Sequence, residues 1–385
     1  MQAGSAFCEH EGSGVRIAGR DSGPLRGVTF AAKDLFEVAG HRCCCGNPDW
    51  LRAHDPATVT ATALELLVDG GATLVGKTTT DELAYSILGI NHWYGAPPNP
   101  AAPDRISGGS SSGSASATAA GDVDVALGTD TAGSIRVPAS WCGIAGIRPT
   151  HGAVPMDGVV PLAPSFDTCG WLARDTAMLE RVGDVLLPDD STPLPHRIVT
   201  IDELWALALG PVQRVVRRCL DTTVDAEPTS DPFFVGRDDT ETFRVLQGIQ
   251  VREQHAAWIQ ECAPAFGPDI GARLRSLDTL TIDDVAPHLA RQQEIRDHLT
   301  RSTMEAVIAI PTTSGPAPHR SAPSDQIARV RPSILRLTCL ASLAGLPQVT
   351  VPAGRVDGGP VGVSLIGPPG SDRALLRLAR TIAPG

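Results

Sequence analysis

The stretch Asp104–Ser140, "DRISGGSSSGSASATAAGDVDVALGTDTAGSIRVPAS", consists almost wholly of small residues and holds seven serines ahead of Ser140 without one histidine. A serine nucleophile needs a group that takes its proton as it attacks, so that group has to come from elsewhere in the chain. "SASATAAG" (114–121) predicts a small-residue helix closed by Gly121, which suits the left-handed geometry of a helix end. "VDVALGT" (123–129) predicts a buried strand. "TDTAGS" (129–134) predicts a turn whose successive N–H groups face the space before Ser134, the donors that an oxyanion requires.

Outward from this stretch, short apolar runs alternate with helical patterns, which indicates an α/β chain with a mixed sheet between helical layers. "GVTFAA" (27–32) reads as a strand delivering Lys33 at its end. Asp55-Pro56 reads as a cap and first position opening a helix with Val59, Ala63, Leu66 and Leu67 on one face, closed by Gly70-Gly71. "ATLV" (72–75) is a further strand, and a helix is expected from about Asp175 to Leu187, before Pro188. "PDDSTPLPH" (188–196) resembles a linker. From there to about 303 the chain reads as helical and loop-rich, with "TETFRVLQGIQVREQHAAWIQ" its best amphipathic piece. Strands return at 306–313 and 345–354. With strands at both ends and helices between, the expectation is one domain over 1–385 that contains a variable helical insertion at 190–300.

The 385 residues are 42% hydrophobic and 19% charged, a globular composition, and the net charge of −11 excludes nucleic acid as the natural partner. No apolar run approaches the roughly 20 residues that span a bilayer, so no membrane partner is expected. "MQAGSAFCEHEGSG" has no basic arm followed by an apolar run, and the nine cysteines, an odd number including Cys43-Cys44-Cys45, make a poor disulfide framework. From both observations a cytoplasmic protein with reduced thiols is expected.

Three motifs fail on context. "GATLVGKT" (71–78) matches the phosphate-loop pattern, but its variable positions form a strand where a flexible loop is required. "GSSSG" (109–113) matches a nucleophile elbow centred on Ser111, yet the preceding "NPAAPDRIS" is polar and broken by proline. His41 with Cys43–Cys45 is a poor zinc set, because three adjacent cysteines cannot all turn toward one tetrahedral ion. The expectation is therefore no metal and no cofactor.

Lys33, Ser110 and Ser134 do fit together. A lysine at a strand end becomes a base when desolvation disfavours its ammonium form. "GGSSSGSASATAAGDVDVALGTDTAGSIRVPASWCGIAGIRPTHG" (108–152) resembles the signature of the amidase signature family. "GVTFAAKDLFEVAG" (27–40) is similar to that family's lysine segment, and "GATLVGKTTTDELAYS" (71–86) to the strand and turn that follow it. "PLAPSFDTCGWLARD" (161–175) and "LASLAGLPQVTVPAG…GPVGVSLIGP" (341–368) resemble its later blocks. The resemblance implies the amidase-signature fold and hydrolysis of a linear amide C–N bond. Its catalytic lysine falls on Lys33, its bridging serine on Ser110 and its nucleophile on Ser134, 24 residues later. It also implies a cis Gly109–Ser110 peptide, an oxyanion hole from the N–H groups of Thr131, Ala132, Gly133 and Ser134, and an acyl pocket lined by Ala84 and Tyr85. Ala132 stands where the family usually has glycine, which puts a methyl group beside the oxyanion hole. Asp130 and Arg136 are read as turn support and structural pairing.

In form the chain resembles small bacterial amidases and plant indole-3-acetamide hydrolases, and lacks the membrane-binding features of fatty-acid amide hydrolases. The expected partner is a small-molecule amide, with a homodimer left open. The competing readings are an amidotransferase subunit that supplies ammonia to a second protein, and an esterase or acyltransferase on the same scaffold.

Overall fold

The computed structural model describes residues 3–10 and 13–382, so parts of the opening segment 1–14 and the last three residues lie outside it. Ten strands share one sheet. In chain order they are β1 (Thr29–Lys33), β2 (Thr73–Thr78), β3 (Val125–Asp130), β4 (Ala145–Arg148), β5 (Thr168–Ala173), β6 (Ile198–Ile201), β7 (Ala226–Thr229), β8 (Val307–Pro311), β9 (Gln348–Val356) and β10 (Gly359–Ile366). Their order across the sheet is β2-β1-β3-β5-β4-β9-β10-β8-β6-β7. The two flanks, β2-β1-β3 and β8-β6-β7, are parallel, and the centre is antiparallel. Helices cover the sheet, among them α1 (Pro48–Ala53), α2 (Thr62–Asp69), α3 (Ser112–Ala120), α4 (Arg136–Cys142) and α5 (Thr176–Leu186). The mixed α/β architecture expected from the sequence is the one observed.

The elements carrying the serine stretch form where expected. α3 ends at Gly121 with φ +81°, and β3 is buried at all six positions. β1 lies between β2 and β3, with Ala32 opposite Leu127, so the end of β1 and the end of β3 emerge side by side. α5 begins after Asp175, whose carboxylate accepts the Met178 N–H at 2.8 Å, an ordinary N-cap. The helix Thr240–Cys262 takes up the amphipathic segment.

Other expectations are corrected. Asp55-Pro56 opens no helix; α2 starts at Thr62, and Val59 is 56% exposed. The intervening chain is tied instead to another segment by backbone bonds, Gly40 N–H to Ala57 O at 2.8 Å, Ala57 N–H to His41 O at 2.9 Å and Ala61 N–H to Glu37 O at 2.9 Å. The 190–300 region is not purely helical, because β6 and β7 complete one edge of the sheet. The 188–196 segment is not free, since the Asp190 carboxylate accepts the N–H groups of Arg373 and Ala374, each at 2.8 Å. β2 runs through Gly76, Lys77 and Thr78, so the phosphate-loop match is a strand.

Glycine is required where α3 meets β3. A β-carbon on Gly128 would lie 2.8 Å from both the Ser111 Cβ and the Ile135 Cδ1. Gly128→Ala is expected to lower the unfolding free energy by about 1–3 kcal/mol, the usual cost of overpacking. Urea melts of the two proteins check this.

Candidate active site

Lys33 ends β1 with none of its surface exposed. Its Nζ lies 2.7 Å from the Ser110 Oγ and 2.8 Å from the Thr129 Oγ1. Burial pushes the lysine down to about 7, against the opposing pull of Asp81, Asp167 and Asp130. Asp34 is absent from that set of neighbouring charges. Successive side chains along a strand point to opposite faces, and Asp34 is ion-paired elsewhere, with Lys77 at 2.5 Å. The acids that act on Lys33 thus come from other segments of the chain, not from its neighbour in sequence.

Ser110 sits just ahead of α3, and the Gly109–Ser110 peptide is cis. Its carbonyl accepts the Asp81 N–H at 3.2 Å and the Thr80 hydroxyl at 3.1 Å. The Asp81 carboxylate packs against the same peptide, so that a β-carbon on Gly109 would stand 2.5 Å from it. Asp81 also accepts the Gly89 N–H at 2.9 Å, and burial raises its proton affinity. Ser111, centre of the elbow-like motif, is turned away: its hydroxyl donates to the Thr129 carbonyl at 3.2 Å.

Ser134 lies in the turn between β3 and α4, and its carbonyl accepts the Ser111 N–H at 3.3 Å, which joins the two serine segments. Asp130, the last residue of β3, shapes this turn. Its carboxylate accepts the N–H of Gly133 at 2.8 Å and of Ile135 at 3.0 Å, and binds Arg136 through Nη2 at 2.7 Å and Nε at 3.0 Å. Burial alone would raise the Asp130 carboxyl, but the guanidinium of Arg136 holds it well below the usual range. Arg136 reaches on to Thr338 O and Gln348 Oε1, each at 2.6 Å. The structural reading of Asp130 and Arg136 therefore holds. The Gly133 N–H, expected among the oxyanion donors, is instead taken by Asp130 and points into the protein. The N–H groups of Thr131, Ala132 and Ser134 find no acceptor among the described residues. The Ala132 side chain joins a hydrophobic cluster with Phe166 and Leu340.

Ala84 and Tyr85 are 4% and 5% exposed and belong to the main core. Leu83 and Ala84 have φ of +51° and +56°, an unusual pair of left-handed residues without glycine. Arg273 donates to the Tyr85 carbonyl at 2.8 Å. A cavity of about 560 Å³ lies next to this segment, lined by Ser86, Leu88, Ile90, Ile270, Arg320 and Ile327, and by neither Ala84 nor Tyr85. The zinc reading of His41 with Cys43–Cys45 gains nothing from the geometry: the Cys43 thiol donates to Phe36 O at 3.3 Å and accepts from Lys77 Nζ at 2.8 Å, and His41 Nδ1 lies 3.1 Å from Ala39 O. Thr129, Asp81 and Asp167 are the site neighbours that the sequence reading missed. Only Thr129 left a signal, as the small polar residue that ends the predicted strand beside Lys33.

The family model Amidase matches residues 8–203 and 265–376. The chain belongs to the amidase family. The unmatched 204–264 segment falls within the 190–300 region read as an insertion. Among relatives, Amidase 1 of Arabidopsis thaliana is 40% identical, with 93% of this chain and 93% of that protein covered. A Pisum sativum protein named Translocon at the outer membrane of chloroplasts 64 is 35% identical over 93% of this chain and 66% of its own length. A Glutamyl-tRNA(Gln) amidotransferase subunit from Methanospirillum hungatei is 32% identical, covering 90% of this chain and 89% of that protein. A solved amidase structure superimposes with a TM-score of 0.81 at 28% identity, over 94% of this chain and 85% of that one. This amidase thus shares its fold with that solved structure.

Removing the guanidinium at position 136 takes the closer of its two cationic partners from the buried Asp130 carboxylate and leaves it Arg148 Nη1 at 3.3 Å. Arg136→Met in this amidase is expected to cost about 3–5 kcal/mol of stability, read as a lowered midpoint of chemical unfolding together with lost activity.

Proposed function

We propose that this amidase cleaves a small-molecule amide by two-step acyl transfer, with Ser134 as nucleophile, Ser110 as proton relay and Lys33 as base. The observation that carries the reading is the fully buried Lys33 amine, 2.7 Å from Ser110 and lowered to about 7. Neutral Lys33 takes the Ser110 proton as Ser110 takes that of Ser134, and the Ser134 Oγ attacks the amide carbonyl carbon. The N–H groups of Thr131, Ala132 and Ser134 hold the oxyanion. The protons then return through Ser110 to the departing nitrogen. Water attacks the acyl-enzyme by the same relay and releases the acid. Ala84 and Tyr85 shape the acyl pocket from behind, through the turn that leads to Ser86 and Leu88. No metal or cofactor enters these steps.

The reading treats residues 1–385 as one catalytic domain, because strands from both ends of the chain share a sheet. It also places the protein in the cytoplasm. No helix among the described residues is long and apolar enough to cross a membrane. The pea relative's name puts that protein at an outer membrane, so fractionation of expressing cells is the direct check, and recovery of the chain in the membrane pellet would remove this placement.

The amidotransferase role is the second reading, favoured by the 32% identity to the Methanospirillum hungatei protein. Free ammonia or amine released by the purified chain acting alone supports the hydrolase; release only in the presence of a partner complex supports the amidotransferase.

A serine-directed fluorophosphonate is expected to label Ser134, and mass spectrometry that finds the label on Ser110, Ser111 or Ser112 would contradict the assignment. Lys33→Ala is expected to lose at least about 100- to 10,000-fold in kcat/KM, the range of general acid–base catalysis. Lys33→Arg should be no better, since a guanidinium keeps its proton at working pH. Because Lys33 acts without its proton, kcat/KM falls as pH drops below about 7 and levels off above it. A profile flat from pH 5 to pH 9, or an active Lys33→Arg enzyme, would exclude Lys33 as the base.

A further inference from the structure

We infer that Cys8, His10, Asp34 and Cys44 form a binding site for one zinc-class divalent ion, separate from the catalytic serines. A sulfur of Cys8, a ring nitrogen of His10 and a carboxylate oxygen of Asp34 all lie within 4.8 Å of one another. Cys44 completes the group from the loop after β1, where its N–H donates to the Asp34 Oδ2 at 2.9 Å. A small cavity of about 50 Å³ is lined by Cys8, His10 and Cys44, together with Thr80 and Tyr94.

The donor set is chemically selective. Two sulfurs, an imidazole and a carboxylate make a borderline-soft tetrahedral set suited to zinc rather than magnesium or calcium. Zinc bond lengths put tetrahedral donor atoms roughly 3.3–3.8 Å apart. His10 Nε2 and Asp34 Oδ2 are 2.8 Å apart and the Cys8 sulfur lies within 4.8 Å of the ligand atoms of both residues, so shifts on the order of 1 Å bring these three to zinc spacing. The second shell is present too. The other Asp34 oxygen binds Lys77 Nζ at 2.5 Å, and the Cys44 N–H donates to Oδ2 at 2.9 Å, which fixes the carboxylate as metal ligands require. The charges also close. Binding sends the two thiol protons and the imidazolium proton that His10 holds against Asp34 to solvent, and two thiolates with one carboxylate then exceed a divalent ion by a single negative charge. The buried ammonium of Lys77 cancels it.

The ion would pin the segment before β1 to the loop after it, around Asp34, the residue next to Lys33. Its role is therefore to brace the strand end, and no proton transfer passes through it. The three adjacent cysteines do not act as a set: Cys44 lines the cavity with Cys8 and His10 and the other two do not, and Cys43 faces Lys77 and Phe36.

The test uses the full chain, purified under reductant with its affinity tag removed, stripped with chelator and titrated with cobalt(II). The expected result is one cobalt per chain with thiolate charge-transfer absorption and intense tetrahedral d–d bands, both displaced by zinc. Cys8→Ala and Cys44→Ala should each abolish the charge-transfer signal or weaken binding at least tenfold, with circular dichroism showing the fold retained. Cys43→Ala and Cys262→Ala should bind as the parent does. Zinc should raise the melting temperature of the parent and not of Cys8→Ala, a readout independent of the spectrum. A chain that binds no cobalt while thiol titration shows Cys8 and Cys44 reduced overturns the site. So does uptake that is unchanged without either cysteine, or a Cys8–Cys44 disulfide that persists under reductant.

Discussion

An amine kept away from water is the constraint around which this protein is arranged. Among the described residues Lys33 meets only hydroxyls, those of Ser110 and Thr129, at hydrogen-bond distance. A buried ammonium there would need a dedicated carboxylate, and the surrounding acids are committed elsewhere. Asp130 is held by Arg136 and Arg148, Asp167 by the Thr131 hydroxyl at 2.6 Å and the N–H groups of Leu162 and Ala163, and Asp81 by the Gly89 N–H at 2.9 Å. Their fields still favour the protonated lysine, but burial outweighs them. An acid moved into direct contact with Nζ would restore the proton and remove the base.

The same economy explains Asp130. One carboxylate ends a strand, folds the turn that follows and anchors α4 through Arg136. By taking the Gly133 N–H it sorts the amides of the turn into those that hold the protein together and those left to face a substrate. The helix α3 must come close to this turn and to β2. A β-carbon on Gly113 would stand 2.5 Å from the Thr79 nitrogen. The monotonous serine, glycine and alanine composition of 107–121 is therefore a condition of approach, since larger side chains would hold the hydroxyls apart.

How much of this was legible beforehand depended on how locally each feature is determined. The end of α3 at Gly121, the Asp175 cap and the long helix at 240–262 each follow from residues within a turn of themselves, and all were readable. The false helix start at Asp55-Pro56 shows the limit: its capping chemistry is sound, but backbone bonds with Gly40, His41 and Glu37 tie that chain to another segment. β6 and β7 were missed because they are short, and β7, "AEPT", has no buried position, so no alternation of apolar residues marks it.

The sequence by itself determined the family, the mixed α/β class and the candidate lysine and serines, because a long motif of small residues at set spacing leaves few alternative arrangements. Only the tertiary structure decided what surrounds them. Thr129 beside Lys33, Asp81 against Gly109, the Gly133 amide turned inward, and Cys8 and His10 facing Asp34 and Cys44 join positions tens of residues apart. The physical reason is that hydrogen bonding and charge act over a few ångströms of space, and neighbours across a sheet leave no periodicity in the chain that each belongs to.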